Sequence, residues 1–177
     1  MSEFRTNLWA PWRMEYIRSL AEENEGGCFL CRYGQESERD ALHHVLWRTD
    51  HTLVVMNRFP YTNGHLLVAP FRHAEDLNDL PPEVFYDLWH QTREAKQALA
   101  ELLHPNGFNI GINLGHCAGA GLPGHLHLHI VPRWTGDTNF MAVLGDIRVV
   151  PESLASMYEQ LRATCRAHGL PRPRPVA

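Results

Sequence analysis

A chain of 177 residues, 44% hydrophobic and 20% charged, suits one soluble globular domain with a substantial core. Sixteen basic against 20 acidic side chains leave a net charge of −4, so no basic stripe supports nucleic-acid binding, although a local cluster of donors suffices for a small anion. No apolar run approaches the length of a membrane span, and the first thirty residues, broken by Glu3, Arg5, Arg13, Glu15 and Arg18, hold no apolar leader core.

Residues 1–27 set Trp9, Trp12, Met14, Tyr16 and Ile17 among charges. They are expected to form an arm packed on the domain or on a dimer mate, with an aromatic wall of a ligand site as the alternative. Cys28-Phe29-Leu30-Cys31 follows, then the polar stretch 33–40. The runs His44–Arg48 and Leu53–Met56 have strand length, and Asn57–Asn63, with Pro60 and Asn63-Gly64, turns the chain into a third strand, His65–Ala69. Pro81-Pro82 opens a helix in which Val84, Leu88, Ala95, Ala98, Leu99 and Leu102 recur at helical spacing, and Pro105-Asn106-Gly107 stops it. Phe108–Leu114 alternates as a strand, 115–124 is a glycine-rich loop, and His125–Arg133 alternates again. Trp134–Phe140 reads as strand or loop, and Arg148–Val150 as a short strand. Ser153–His168 is a second amphipathic helix capped by Gly169, and 169–177 reads as a flexible tail. Antiparallel strands with two separated main helices predict an α+β domain over residues 28–168.

The chemistry concentrates in His125-Leu126-His127-Leu128-His129-Ile130-Val131-Pro132-Arg133. Strict alternation puts three imidazoles on one strand face, roughly 6.5–7 Å apart, with Leu126, Leu128 and Ile130 toward a core. Three imidazoles are poor packing, because each buried ring has two nitrogens that need partners. A solvated polar face, a catalytic metal site and a nucleophilic histidine attacking phosphorus are the competing accounts. The loop Gly119-Ala120-Gly121-Leu122-Pro123-Gly124 fails as a dinucleotide fingerprint, since a strand follows it where a helix should begin. Either it is a flexible turn, or its N–H groups, at Ala120 and Gly121 among others, approach phosphate.

Cys28 and Cys31 have the spacing of a turn that closes on one ion and lack the thioredoxin-like context of a redox pair. A zinc site needs two more ligands, with His43, His44 and His51 nearest in sequence; the alternative is two thiols with no ion. Cys117 and Cys165 read as ordinary residues. Four cysteines are too few for a disulfide scaffold, so the expectation is a cytoplasmic protein with reduced thiols.

The motif His-x-His-x-His followed by two aliphatic residues and Pro-Arg resembles the signature of the histidine-triad (HIT) nucleotide hydrolases and transferases. Val55–Pro60 running into Asn63–Val68, and Gly107–Asn113, are similar to that family's paired strands and central strand. Arg133–Phe140 and Leu8–Met14 resemble segments of its bacterial branch related to diadenosine tetraphosphate phosphorylase. The resemblance implies a HIT-like fold, an antiparallel sheet of about five strands with two main helices, and a homodimer. It implies a nucleotide or dinucleoside polyphosphate substrate. It further implies that His127 attacks the α-phosphorus to give a nucleotidyl-histidine, and that His129 contacts phosphoryl oxygens and helps protonate the leaving group. By the same resemblance Asn57 is expected near the ribose and Asn113 near the phosphates, with Trp134 in the substrate pocket and the glycine loop on the phosphates. Where many members carry a Gln, Ser or Thr donor this chain has Gly121, for which backbone N–H groups or His116 would substitute. Metal-containing relatives, galactose-1-phosphate uridylyltransferases among them, imply His73 and His125 as the remaining ligands of a structural zinc.

Overall fold

The computed structural model describes residues 27–137 and 150–173. The aromatic arm, residues 138–149 with most of the expected strand at 148–150, and residues 174–177 lie outside them.

Five strands form one antiparallel sheet in the order β1-β2-β3-β5-β4: β1 (Val45–Arg48), β2 (Thr52–Met56), β3 (Leu66–Pro70), β4 (Gly107–Ile112) and β5 (Leu128–Arg133). Among the described residues there are four α-helices: α1 (Phe29–Gln35), α2 (Asp40–His43), α3 (Pro82–Leu103) and α4 (Leu154–His168). The α+β class and the two main helices expected from the sequence are both present.

Strands β2 and β3 are buried along their whole length, because both faces of the sheet are covered there. One face carries α3 and α4. Leu88, Ala95, Leu99 and Leu161 pack on Val54, Leu66, Val68, Leu128 and Ile130. The other face carries the shorter α1, whose Leu30 and Tyr33 cover Val45, Leu53, Val55, Leu67 and Ala69. Because side chains alternate along each strand, His65 and His129 fall on this second face.

The helix ends follow the expected chemistry. Pro82 opens α3, the Ser153 side chain accepts from Ser156 N–H at the start of α4, and Gly169 ends α4 at φ +60°. Between β2 and β3 the turn depends on Gly64, at φ +77°. A Cβ there would lie 2.6 Å from Leu103 Cδ1, so only glycine lets the turn sit against α3.

Three features differ from expectation. The strand that carries the motif begins at Leu128, not His125. The register that pairs Val68 with Leu128 would bring Leu126 beside Pro70, whose nitrogen has no hydrogen to donate; the Leu126 N–H goes instead to Ala74 O at 2.7 Å. Residues 29–35, expected as a turn and the start of a polar stretch, form α1, with Cys28 as its N-cap. The segment from 169, expected to trail as a tail, is tied down through Arg172: Leu170 is buried, and Glu94 Oε2 accepts both Arg172 N–H (3.0 Å) and Nε–H (3.2 Å).

Candidate active site and metal centre

The early end of the ladder splits the histidine motif. The rings of His127 and His129 stay together, with centroids 4.9 Å apart, whereas His125 turns to His73 at 5.0 Å. The expected single row of three evenly spaced rings is absent, because residues 125–127 precede β5 and are unpaired with β3.

His125 is completely buried and donates Nε2–H to Pro70 O at 2.8 Å, which leaves Nδ1 as a ligand atom. Cys28 Sγ lies 3.0 Å from that Nδ1, Cys31 Sγ 3.4 Å from it, and Cys31 Sγ 3.2 Å from His73 Nδ1. All four donor atoms lie within 4.8 Å of one another. A tetrahedral ion with ordinary Zn–S and Zn–N bonds sets sulfur and nitrogen about 3.5 Å apart, so the spacing fits one small dication. Burial, reinforced by the hydrogen bond and charge of Cys28, pushes the Cys31 thiol up to about 11, and a bound cation would reverse that by holding the sulfur as thiolate. The four residues can therefore hold a metal ion. The set comes from the start of α1, the segment after β3 and the start of the motif, and does not include His43, His44 or His51. His43 instead meets Glu36 at 2.8 Å and stacks on Tyr33.

His127 and His129 line a cavity of about 530 Å³ between α1, the β2–β3 turn and the glycine loop. His127 donates Nδ1–H to His125 O at 2.8 Å, so the neutral ring keeps its lone pair on Nε2. Burial holds its pKa below the usual range, partly opposed by that hydrogen bond. Burial, with the His127 charge second, brings His129 down to about 4. Both rings are therefore neutral near pH 7. Among the described residues no carboxylate lines this cavity, and its cations are Arg32 from α1 and Arg58 from the turn.

The cavity brings together His127, His129, Asn57 and Gly121 of the residues expected in the site. Asn57 also engages its neighbours: its Oδ1 accepts Phe59 N–H at 3.0 Å and its Nδ2 approaches His65 Nδ1 at 3.1 Å. Asn113 lies outside the lining and reaches Gly119 O at 3.5 Å. Ala120 is buried behind the loop, its N–H directed at Gly115 O. Trp134 is half-buried beyond β5, also outside the lining, where its N–H donates to Asp137. His116 is exposed in a short 3-10 turn of the loop. Sequence reasoning missed Arg32, Arg58 and His65. Arg58 adjoins Asn57 in the chain, and His65 shares a strand face with Leu67, which the register sets opposite His129.

The family profile described as HIT domain matches residues 38–136. The chain belongs to the HIT domain family. It is 35% identical over 153 residues to the AP-4-A phosphorylase of Mycobacterium tuberculosis (strain ATCC 25618 / H37Rv), covering 83% of this chain and 77% of that protein. It is 34% identical to the asymmetrical bis(5'-nucleosyl)-tetraphosphatase of Schizosaccharomyces pombe, over 64% of this chain and 63% of that one. The crystal structure of a Zn-bound histidine triad family protein from Mycobacterium smegmatis superposes with a TM-score of 0.65 at 31% identity, covering 81% of this HIT chain and 96% of that one. Enzymatic processing of nucleotides is the class of activity these relatives support.

Proposed function

We propose that this HIT protein cleaves a dinucleoside polyphosphate such as diadenosine tetraphosphate through a nucleotidyl-histidine on His127, with a structural zinc on Cys28, Cys31, His73 and His125. The observation that carries this is the commitment of His127 Nδ1–H to the His125 carbonyl within a cavity wall, which leaves Nε2 as the lone-pair nitrogen. The Nε2 lone pair forms a bond to the α-phosphorus while the bond to the bridging oxygen breaks, and the nucleoside triphosphate departs with that electron pair. Water or inorganic phosphate then attacks the same phosphorus and regenerates neutral His127. Water yields the nucleoside monophosphate and phosphate yields the diphosphate. His129 lies beside the nucleophile to contact the phosphoryl oxygens, and Gly121 brings loop backbone to the same wall. Among the described residues the lining carries Arg32 and Arg58 and no acid, which suits a polyanion.

A metallohydrolase using all three motif histidines fits less well, because the metal set takes His125 and leaves His127 and His129 to the cavity. A closed Cys2His2 set has no open coordination position for water, so the ion would tie α1 to the motif. The family resemblance and the outer edge of β4, unpaired among the described residues, support a homodimer, measurable by light scattering. The four cysteines, all free, suit the cytoplasm.

The deciding experiment is incubation with diadenosine tetraphosphate, with and without inorganic phosphate, and mass analysis of the products. ATP with AMP alone makes the protein a hydrolase; ATP with ADP in phosphate makes it a phosphorylase. No turnover of any dinucleoside polyphosphate overturns the reading.

A further inference from the structure

Two permanently charged side chains stand among the apolar and aromatic groups of the cavity wall, each from a different element. Arg32 lies one turn after Cys28 on α1, half-buried, its guanidinium 5.8 Å from the Tyr33 ring centroid. Arg58 follows Asn57 in the turn between β2 and β3, exposed, its guanidinium 5.8 Å from the Phe59 ring centroid. Other arginines are spent on carboxylates: Arg48 on Asp40, Arg133 on Asp137 and Arg172 on Glu94. Among the described residues no carboxylate bridges Arg32 or Arg58. Glu36, one helical turn beyond Arg32, is taken by His43 at 2.8 Å and Arg39 at 3.2 Å. Both cations therefore face the cavity without a counter-ion, and an anionic ligand would supply it.

We propose that Arg32 and Arg58 are specificity-determining residues that bind the phosphates beyond the scissile bond, so that the cavity selects nucleotides whose leaving group is itself a polyphosphate. The inference rests on the nucleotide-cleaving reading and names the part of the substrate that the two cations take. His127 and His129 are neutral near pH 7 and bring no charge to the departing anion. Gly119 and Gly121 offer backbone dipoles without net charge. Among the described lining residues, the negative charge that leaves with the triphosphate thus meets Arg32 and Arg58 alone. A guanidinium suits that place, because it stays charged and grips phosphate oxygens through paired N–H groups. Cys28 and Cys31 approach His125, so α1 brings Arg32 to a set position relative to the motif. A leaving group with no phosphate of its own would leave both cations unpaired and gain nothing from them.

A binding test needs no turnover. On the full chain carrying His127→Ala, titration calorimetry gives the Kd of ATP and of AMP, which share base, ribose and α-phosphate and differ in the phosphates beyond it. ATP should bind roughly tenfold or more tightly than AMP, and adding Arg32→Gln with Arg58→Gln should bring the two within about threefold. Equal binding of ATP and AMP with both arginines present overturns this inference alone, as does an ATP advantage that survives in the double variant. If neither nucleotide binds, the nucleotide-cleaving reading falls and this inference with it. Arg58→Gln by itself, at an exposed turn position, should cut the ATP advantage by about threefold or more, which keeps the inference testable if Arg32→Gln does not fold. An unchanged advantage in that variant overturns it. Turnover on the otherwise wild-type chain then reads selectivity. The ratio of kcat/KM for diadenosine tetraphosphate to that for the 4-nitrophenyl ester of AMP, whose leaving group has no phosphate, should fall about 10- to 100-fold in the double variant. A ratio that stays within about threefold of wild type overturns the proposal.

Discussion

His125 and His127 are two residues apart in one motif, yet the fold sends them to different chemistries, and the difference lies in which ring nitrogen is tied to a carbonyl. His125 gives Nε2–H to Pro70 O and presents Nδ1 to two sulfurs. His127 gives Nδ1–H to the His125 carbonyl and keeps Nε2 for the cavity. One backbone carbonyl thus links the two sites: the side chain of residue 125 belongs to the candidate metal set while its main chain orients His127. The lesson is that a shared motif fixes neither tautomer nor role. Each is set by the local partner of the other nitrogen.

The sharpest way to break this contrast is to remove each ring in turn. His127→Ala should lower kcat by about 10⁴-fold or more while metal content, measured by emission spectroscopy, stays at one ion per chain. His125→Ala should do the reverse, losing the metal but retaining turnover within about tenfold per folded molecule, because the carbonyl that orients His127 remains. Equal loss of turnover in both variants would merge the two sites into one.

Next in size is the metal itself. Chelation, or Cys28→Ser with Cys31→Ser, should lower stability by about 4 kcal/mol relative to protein held at a thousandfold excess of zinc over its Kd. Denaturant titration with and without chelator checks this. The loss should appear in stability, whereas an ion taking part in the reaction would halt turnover of protein that is still folded.

Gly64→Ala damages the cavity side alone. A Cβ 2.6 Å from Leu103 Cδ1, at φ +77°, should cost about 2–5 kcal/mol in the same titration and shift Asn57 and His65 with the turn, leaving metal content unchanged.

The smallest effect is in pH. His129 titrates near 6.5 in the unfolded chain and at about 4 in the fold, so between those values the unfolded chain binds the extra proton. Its contribution is fully present above pH 6.5 and lost as pH falls toward 4, up to about 3 kcal/mol. His129→Gln should flatten stability against pH across that window, whereas acid loss of the metal would persist in the variant.

The strands and helices that bury most surface were legible in the sequence. β2 and β3 are continuous apolar runs, and α3 and α4 have proline or serine starts with periodic apolar stripes. The start of β5 was not legible from its own alternation, because it depends on Pro70 of a neighbouring strand. Helix α1 escaped detection since seven residues give too little periodicity, and its anchors are long-range contacts of Leu30, Tyr33 and the cysteines. The segment to Arg172 looked solvated in a Pro-Arg run, while its partner Glu94, nearly unexposed on α3, was the sign of a docked strap. In the site, the split of the three histidines and the placing of His65 beside His129 depend on sheet register, which a motif does not encode.

The account depends most on which atom becomes bonded to phosphorus. Rapid acid-free quenching during turnover of diadenosine tetraphosphate, followed by peptide mass mapping, tests it directly. An adduct of roughly 329 Da confined to His127, absent in His127→Ala, is the expected result. The same adduct on another residue, or undiminished in that variant, contradicts it.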